Sequence, residues 1–451
     1  MAITNTTYSV NKIDEFFKKS KRIFFIGIGG VSMSSLARFC LSQGKIVFGY
    51  DAKRNELSAL LEEKCHIKYC SSPDSTCGMD MVIYTTAIDE HNFEYVKARE
   101  LKIPLISRAN FLGYIMTKYK NRIGVCGMHG KSTLTSMLGH IFDYAKKRPT
   151  VFCGAKMENY NSCEIIDDGD DFIFEACEYM NAFLGLNPTE SIITNIDYDH
   201  TDFFSSIDDI IESFQNYASL NRKIYVNSDD MLSRRIKHDN IVTYGINSKA
   251  DYMAKIIHSS PKNEFLVYKN EEPLIKCQLD FLGEHFVYDA LGAFCIAYEN
   301  GINKNVISKA LSCFKGTKRR MELIKKTATG VDIFEDYAHH PTEIKASLSS
   351  LKAMGYERIC CIFQAHTYSR TFHLYNEFIN ALRGVNNLII TPIFPAREIN
   401  TYPITDKCFA DDCGGAFMTD FREIANYTLL LNIDAIIIMG AGDIGKLKEY
   451  Y

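Results

Sequence analysis

The stretch RIGVCGMHGKSTLTSMLGHIF, residues 122–142, decides the fold of the middle of this chain. Its first five residues are typical of a short buried strand, and apolar side chains then recur at helical spacing at Leu134, Met137, Leu138, Ile141 and Phe142. Between strand and helix stands a glycine-rich turn, Gly127-Met128-His129-Gly130-Lys131-Ser132-Thr133. A strand, a glycine turn and a helix in this order are typical of an α/β domain that binds phosphate groups.

The chemistry predicted for this turn is that of a phosphate-binding loop. Its backbone N–H groups converge on phosphate oxygens, Lys131 neutralises phosphate charge, and the Ser132 hydroxyl can ligate Mg²⁺. The spacing departs from the standard GxxxxGK[ST] pattern, because Val125 stands where the first glycine is expected. The alternative interpretation is a chance glycine turn with a solvated lysine.

Outward from this stretch, short strands and helices alternate along the whole chain, which predicts sheets covered by helices. The predicted fold class is α/β with three domains, spanning residues 1–117, 118–315 and 316–451. Between residues 241 and 281 the pattern changes to period-two alternation around SSPKN, residues 259–263. The central domain is therefore expected to contain a small antiparallel sheet beside its parallel one.

Composition and charge exclude several classes of protein. The chain has 451 residues, of which 46% are hydrophobic and 24% charged, and its formal net charge is −4. Without a basic excess, we expect no nucleic-acid partner. No apolar run reaches the roughly 18–20 residues of a membrane helix, and residues 1–21 do not read as a secretory signal, so we expect a cytoplasmic protein without membrane insertion. Fifteen scattered cysteines without a CxxC pair are interpreted as free thiols.

Two further glycine turns occur near the two ends of the sequence. GIGGVS, residues 27–32, follows the first predicted strand, and Asp51 ends the next strand. This resembles a dinucleotide fingerprint in which Ser32 replaces the third glycine. GAGDIG, residues 440–445, matches GxGxxG in full but stands too close to the end of the sequence for the roughly 20 residues that lead to a ribose-binding acid. We interpret it as a turn that permits tight packing of strand and helix.

Polar side chains follow the predicted strands of the central domain and the third domain. In the central domain they are Glu175 and Glu178 after one strand, then Asn195, Asp197, Asp199, His200 and Asp202 after the next. Because carboxyl ends of parallel strands meet at one sheet edge, these groups could hold Mg²⁺ beside the loop. The alternative is a set of surface acids that cap helices. The third domain adds Arg319-Arg320, DYAHHPTE at 336–343 and QAHTYSR at 364–370.

Nine motifs thus follow one another along the chain. They are GIGGVSMSSLA from Gly27, GMHGKST from Gly127, EACEYMNAFL from Glu175, TNIDYDHTDFF from Thr194, GTKRRMEL from Gly316, DYAHHPTEI from Asp336, HTYSRT from His366, AREINTYPI from Ala396 and GAGDIGKL from Gly440. In this order they resemble the motifs of the Mur ligase family of bacterial cell-wall synthesis. The resemblance covers nearly the whole chain.

The resemblance implies a Rossmann-like N-terminal domain for a UDP-sugar, a central P-loop ATPase domain and a Rossmann-like C-terminal domain for an amino acid. It also implies ATP and Mg²⁺ as cofactors and small molecules as the partners. In the branch that the chain resembles most, ATP phosphorylates the lactyl carboxylate of UDP-N-acetylmuramate, and the amino group of L-alanine then displaces phosphate. Phosphorylation supplies the leaving group that a carboxylate lacks, and clustered cations stabilise the developing charge.

The resemblance also implies a role for individual residues of this sequence. The catalytic residues would be Lys131, His200 and Arg320. ATP would contact the seven residues of the GMHGKST turn together with His285, Asp289, Arg320 and Asp336. The metal ligands would be Ser132, Glu175 and His200. The UDP-sugar would contact Gly29, Gly30, Val31, Ser32 and Asp51, and the amino acid would contact His339, His340, His366 and Arg370.

Some positions depart from the family pattern. The adenine-contacting motif His-Asn-x-x-Asn reads HFVYD, residues 285–289, and an ionised aspartate only accepts hydrogen bonds. We therefore expect weaker discrimination between nucleoside triphosphates than in a typical member. Three alternatives stay open: a ligase that attaches a recycled muropeptide to the same UDP-sugar, a degenerate paralogue that only binds nucleotides, and an oxidoreductase suggested by the glycine motifs.

Overall fold

Three sheets organise the part of the chain that the computed structural model describes, residues 8–259 and 262–451. The α/β fold class with three sheet-centred units is confirmed. In the described part of the chain, helices of the length and apolarity that a membrane crossing requires are absent.

The first sheet has five parallel strands in the order β3-β2-β1-β4-β5. Its strands are β1 Arg22–Ile26, β2 Ile46–Tyr50, β3 His66–Lys68, β4 Met81–Tyr84 and β5 Leu105–Ser107. Its helices are α1 Val10–Lys19, α2 Val31–Ser42, α3 Glu56–Glu62, α4 Phe93–Glu100 and α5 Arg108–Met116, with a 3₁₀ turn at Pro73–Thr76. Side chains of β1 and β4 alternate between two buried clusters, one on each face, which explains their continuous apolar sequence.

The second sheet has ten strands in the order β15-β14-β13-β12-β11-β10-β6-β9-β7-β8. They are β6 Asn121–Cys126, β7 Thr150–Met157, β8 Ser162–Ile165, β9 Asp171–Glu175, β10 Glu190–Ile193, β11 Lys223–Asn227, β12 Ile241–Gly245, β13 Tyr252–His258, β14 Asn263–Lys269 and β15 Glu272–Leu279. The helices are α6 Lys131–Tyr144, α7 Ile207–Ala218, α8 Glu284–Glu299 and α9 Lys304–Ser312, with 3₁₀ segments at Tyr179–Gly185 and Ser233–Arg235. The five apolar residues that predicted α6 are all buried in it.

The third sheet has six strands in the order β16-β17-β21-β18-β19-β20, and only its edge strand β16 pairs antiparallel among the described residues. The strands are β16 Glu322–Lys326, β17 Asp332–Asp336, β18 Ile359–Phe363, β19 Asn387–Ile390, β20 Ala416–Phe417 and β21 Ala435–Met439. The helices are α10 Pro341–Ala353, α11 Tyr368–His373, α12 Tyr375–Leu382, α13 Asp406–Cys413 and α14 Phe421–Leu429, followed by a 3₁₀ segment at Asp443–Tyr450.

The predicted antiparallel hairpins are present, but they do not form a sheet of their own. Strands β13, β14 and β15 pair antiparallel, and β13 joins β12 in parallel, so the hairpins extend the central sheet. Of the turn at 259–263, residues 260 and 261 lie outside the described residues. The turn at 440–445 is close-packed as predicted, since a Cβ on Gly440 would lie 2.8 Å from the Gln364 carbonyl oxygen.

Buried apolar clusters cross both junctions between the three units. One cluster contains side chains of the first and second units, such as Phe25 and Phe214, and another contains side chains of the second and third, such as Leu134 and Phe363. The carboxyl ends of the strands in all three sheets are followed by the polar motifs, so packing of the units brings these motifs toward one another.

A glycine inside β6 has no room for a side chain. A Cβ on Gly124 would collide with the Tyr217 hydroxyl oxygen and lie 2.5 Å from Ser191 Oγ, and these two hydroxyls hydrogen-bond to each other at 2.8 Å. We expect Gly124→Ala to lower the free energy of unfolding by about 1–3 kcal/mol, the usual cost of overpacking. Urea unfolding followed by circular dichroism measures this. Gly185→Ala, with no heavy atom within 4 Å of its Cβ, is the control, and equal midpoints for the two variants would contradict the prediction.

Candidate functional site

The turn after β6 has a conformation that only glycine allows at two positions. Gly127 has φ +130° and Gly130 has φ +82°. A Cβ on Gly127 would collide with the Thr194 hydroxyl, and one on Gly130 would lie 2.7 Å from the Asp289 carboxylate. Both the backbone angles and the close neighbours therefore require glycine.

Residues after β10 hold this turn from the side. The His129 N–H donates to Asn195 Oδ1 at 2.9 Å, and the Met128 N–H donates to the Asn195 carbonyl at 3.2 Å. The Thr194 hydroxyl donates to the His129 carbonyl at 2.6 Å. Because α6 begins at Lys131, the N–H groups of its first turn have no partner within the helix and can bind an anion.

The Lys131 ammonium lies over the turn. Its Nζ donates to the Gly127 carbonyl at 2.6 Å and to Glu178 Oε1 at 3.0 Å. Burial disfavours the charged amine, but the Glu178 carboxylate outweighs burial and raises the pKa of Lys131. Burial likewise opposes ionisation of Glu178, whereas Lys131 and His200 lower its pKa. Both groups are therefore charged at neutral pH.

Glu178 also contacts the predicted catalytic histidine. His200 Nε2 lies 3.1 Å from Glu178 Oε1, while Glu178 Oε2 is buried and has no hydrogen-bond partner among the described residues. A buried carboxylate oxygen without a partner fits a bound cation, since carboxylates are preferred ligands of Mg²⁺. The sequence places Glu178 among the strand-end acids but not among the ligands. The signal that could have identified it is its position three residues after Glu175.

The two other predicted metal ligands lie close to each other. Glu175 ends β9 and accepts a hydrogen bond from the Gly154 N–H. The Cys153 thiol lies 3.4 Å from a Glu175 carboxylate oxygen and 3.4 Å from the Ser132 carbonyl, so Glu175 and the start of α6 share a neighbour. His200 contacts Glu178, Ser132 follows Lys131 in α6, and the Glu175 charge acts on Lys131, so the three predicted ligands lie in the neighbourhood of the Lys131–Glu178 pair.

A cavity of about 410 Å³ opens beside the turn, a volume typical of a small-molecule site. The central domain contributes His129, Gly130, Thr133, His285 and Asp289 to its lining, and the third domain contributes Arg320 and Asp336. All seven are predicted ATP-binding residues. Asp336 accepts from the Met321 and Ala338 N–H groups, and burial raises its pKa to about 6.

Burial bears on the protonation state of the Asp289 carboxyl, which the sequence analysis takes as ionised. The carboxyl is buried, and burial raises its pKa well above the ordinary value, with only Arg320 opposing the rise. A neutral carboxyl both donates and accepts hydrogen bonds, as the family's asparagine amide does. Burial thus favours the neutral carboxyl, which weakens the basis for poor nucleotide discrimination, and that expectation stays a prediction.

His129 lies between carboxylates of two domains. Its Nε2 is 3.2 Å from Asp197 Oδ2 of the central domain, and its Nδ1 is 3.3 Å from Glu343 Oε1 of the third domain. Glu343 also lies 3.6 Å from Arg320 Nη1. Single ligand atoms of His129, Asp197 and His340 lie within 4.8 Å of one another, so this group could also hold a metal ion. His340 Nε2 lies 3.3 Å from the Tyr198 carbonyl, a further contact between the two domains.

Arg370 is at the site, but its guanidinium is already paired. Arg370 Nε lies 2.7 Å from Asp199 Oδ1 and Nη2 lies 3.2 Å from Asp199 Oδ2, and both side chains are buried. The resemblance implies that this arginine contacts an amino acid, whereas in the structure Asp199 of the central domain occupies two of its nitrogens. Arg370 Nη1 contacts His366, and the His366 and His339 rings lie 5.8 Å apart, so three of the four predicted amino-acid residues cluster here.

The predicted UDP-sugar residues divide into two groups. Gly29, Gly30 and Asp51 line a cavity of about 790 Å³ in the first domain, and the Gly29 N–H donates to Asp51 Oδ2 at 2.8 Å. Val31 and Ser32 form the first turn of α2 and do not belong to the described lining of this cavity. The Ser32 hydroxyl instead accepts a hydrogen bond from Arg108 Nη1 at 3.2 Å.

Comparison with known proteins agrees with this geometry. Three family models match in sequence order: the Mur ligase family catalytic domain over residues 22–120, the Mur ligase middle domain over 125–297 and the Mur ligase glutamate ligase domain over 319–442. Two relatives are similar over most of their length. The chain belongs to the Mur ligase family of ATP-dependent ligases that form amide bonds.

Both relatives are UDP-N-acetylmuramate–L-alanine ligases. The one from Caldanaerobacter subterraneus subsp. tengcongensis is 38% identical over 96% of this chain and 98% of its own length. The one from Clostridium kluyveri is 39% identical with the same coverage, 96% and 98%. The crystal structure of a UDP-N-acetylmuramate–alanine ligase from Thermotoga maritima has 25% identity and a TM-score of 0.82, covering 95% of this chain and 97% of that one.

The His129 contact predicts a pH-dependent stability. Burial lowers the pKa of His129, but Asp197 and Glu343 outweigh burial and raise it to about 9, against an ordinary value of about 6.5. This stabilisation is complete below about pH 6.5 and is lost as the pH rises through 9. We expect calorimetric melting temperatures to fall more between about pH 7.5 and pH 9.5 in the wild type than in His129→Gln.

Replacement of an exposed histidine provides the control. His258→Gln at the end of β13 should keep the wild-type pH dependence, because this side chain lies at the surface. Parallel pH profiles for the wild type and His129→Gln would contradict a charged His129 between the two carboxylates.

Proposed function

We propose that this chain joins L-alanine to the lactyl carboxylate of UDP-N-acetylmuramate, with ATP converted to ADP and phosphate through an acyl-phosphate intermediate. This reaction builds a peptidoglycan precursor, and we place it in the cytoplasm. The three predicted segments would divide the work, with the UDP-sugar on residues 1–117, ATP on 118–315 and the amino acid on 316–451. The full-length similarity to ligases named for this reaction supports the proposal.

One observation supports the proposal most directly: the phosphate turn carries a cation of the central domain, and the cavity beside it is lined by a cation of the third domain. Lys131 lies over the phosphate turn, and Arg320 of the third domain lines the cavity that the turn opens into. A phosphoryl group in transfer spreads negative charge over its oxygens, so fixed cations on both sides lower the barrier. A protein that only binds nucleotides does not need a cation that a second domain supplies to the phosphate region.

The remaining residues supply binding and orientation. The N–H groups at the start of α6 bind phosphate oxygens, and Asp289 and His285 contact the base in the cavity. His339, His340, His366 and Arg370 surround the amino acid near the acyl group. Packing of the third domain on the central domain excludes water, which protects an acyl phosphate from hydrolysis.

Magnesium fits this site because of its donor set. We assign one ion to Ser132 and Glu175, and a second to His200, with the unpaired Oε2 of Glu178 beside it. When bound, Mg²⁺ neutralises charge on the phosphate oxygens.

A single assay tests the reaction and its acceptor. Purified protein is incubated with Mg-ATP, UDP-N-acetylmuramate and separate amino acids, or with the muropeptide L-alanyl-γ-D-glutamyl-diaminopimelate. We expect phosphate release with L-alanine and a product whose mass equals both substrates minus water. Product with the peptide alone would replace the proposal by muropeptide recycling, and no product with any acceptor would favour a paralogue that only binds nucleotides.

Removal of the loop lysine should stop the reaction. We expect Lys131→Ala to lower kcat by at least about 10²–10³-fold, because its charge is needed most when phosphoryl charge develops. Steady-state phosphate release measures the change. Lys120→Ala is the matched control, since Lys120 is exposed and pairs only with Asp170 across the surface. Near-normal turnover of a folded Lys131→Ala protein would remove the loop from the mechanism.

Arg370→Lys tests the amino-acid contact. Lysine keeps the charge but loses the planar fork, so we expect a large rise in the KM for alanine and much smaller changes in the KM for ATP and for UDP-N-acetylmuramate. Titration of each substrate separately provides the measurement. An equal rise in all three values would show that Arg370 acts only through Asp199, by holding the third domain in place.

A further inference from the structure

The loop after β19 is fixed to the HTYSR segment of the third domain. The Phe394 N–H donates to the Ala365 carbonyl at 2.9 Å, and the Thr367 N–H donates to the Phe394 carbonyl at 2.9 Å. The Phe394 and His366 rings stack with their centroids 5.6 Å apart. The loop therefore has a defined position relative to the predicted amino-acid residues.

The next residues of this loop form a constrained turn. Ala396 has φ +52°, a left-handed conformation that residues other than glycine adopt rarely. The Glu398 N–H donates to the Pro395 carbonyl at 2.8 Å, and the Glu398 carboxylate accepts from the Ser369 N–H at 2.9 Å and from the Ser369 hydroxyl at 2.5 Å. A strained residue persists where its surroundings hold it, so the backbone position of Arg397, inside this turn, is set by the fold.

Arg397 reaches a cavity that belongs to another domain. It lines the 790 Å³ cavity of the first domain together with Gly29, Gly30 and Asp51. Its guanidinium is exposed and makes no hydrogen bond or ion pair with the residues that the structure describes. Its charge also acts on Tyr179, partly opposing the burial that raises the Tyr179 pKa to about 12, and the Tyr179 ring packs 4.8 Å from that of His200. Arg397 therefore lies between the first-domain cavity and the catalytic region.

The first domain contributes no arginine or lysine to the described lining of this cavity. Among the described residues of its lining, Arg397 is the one arginine or lysine, beside the two acids Asp51 and Asp89. The glycine turn and the N-terminus of α2, a helix of 12 residues, offer N–H groups to an anion but no full positive charge. A full positive charge here therefore strengthens the binding of an anion with two or more charges.

We propose that Arg397 binds the diphosphate of the nucleotide sugar held by the first domain, so that the third domain completes the sugar-nucleotide site. This inference rests on the proposed function, because it takes the first-domain cavity as the UDP-sugar site. A planar guanidinium offers two parallel N–H groups to two phosphate oxygens, a fixed bidentate geometry that a single backbone N–H lacks and a lysine ammonium does not impose. Arg397 of the third domain is thus a binding residue for the nucleotide sugar that the first domain holds.

Calorimetric titration of UDP and of uridine into the full chain tests this assignment. We expect Arg397→Ala to weaken UDP binding by about tenfold or more, the effect of losing a charge-assisted hydrogen bond, and to leave uridine binding unchanged. Arg397→Lys should restore part of the loss. Arg383→Ala is the matched control, because Arg383 is an exposed arginine of the same domain that lines a different cavity.

The reaction provides a second readout. In Arg397→Ala the KM for UDP-N-acetylmuramate should rise about tenfold, while the KM for ATP and that for alanine stay within about twofold of the wild type. Equal UDP affinity in the wild type and Arg397→Ala overturns the inference and leaves the proposed function intact. Equal weakening of UDP and uridine also overturns it, because the effect is then not on phosphate. Absence of UDP binding in the wild type overturns both the inference and the first-domain site.

Discussion

The contact of His129 with Asp197 and Glu343 is the interaction on which the geometry of the catalytic region depends. One carboxylate belongs to the central domain and the other to the third, so a protonated imidazole holds the two domains together at the phosphate turn. Through Glu343 the same contact places Arg320 at the cavity beside the phosphate turn. The charge of one side chain thus connects the loop that holds phosphate with the domain that supplies the second cation.

The buried pairs of this region have a function beyond stability. Lys131 with Glu178, and Arg370 with Asp199, are ion pairs whose desolvation cost offsets much of their attraction, so they contribute little net stability. These pairs fix the orientation of the Lys131 and Arg370 side chains. Each holds a cation at a defined place where anionic groups enter, and each keeps that cation charged in a buried environment.

The sequence predicted local structure well and long-range pairing poorly. The strand predicted at residues 122–126 and the helix predicted after it are observed as β6 Asn121–Cys126 and α6 Lys131–Tyr144, because a buried apolar run and a helical period mark these elements locally. Lys131 was identified by a local motif. Its partner Glu178, 47 residues away, and the Asp199–Arg370 pair, 171 residues apart, depend on how the domains pack, which spacing does not encode.

The third domain lines two cavities at once, the nucleotide cavity through Arg320 and the first-domain cavity through Arg397. Any ligand that favours closure of this domain over one cavity also favours closure over the other. If a ligand in one cavity changes the affinity for a ligand in the other, thermodynamic linkage requires the effect to be reciprocal and of the same factor. Coupling between the two cavities would then be a property of the domain arrangement itself, set by the third domain that carries both arginines.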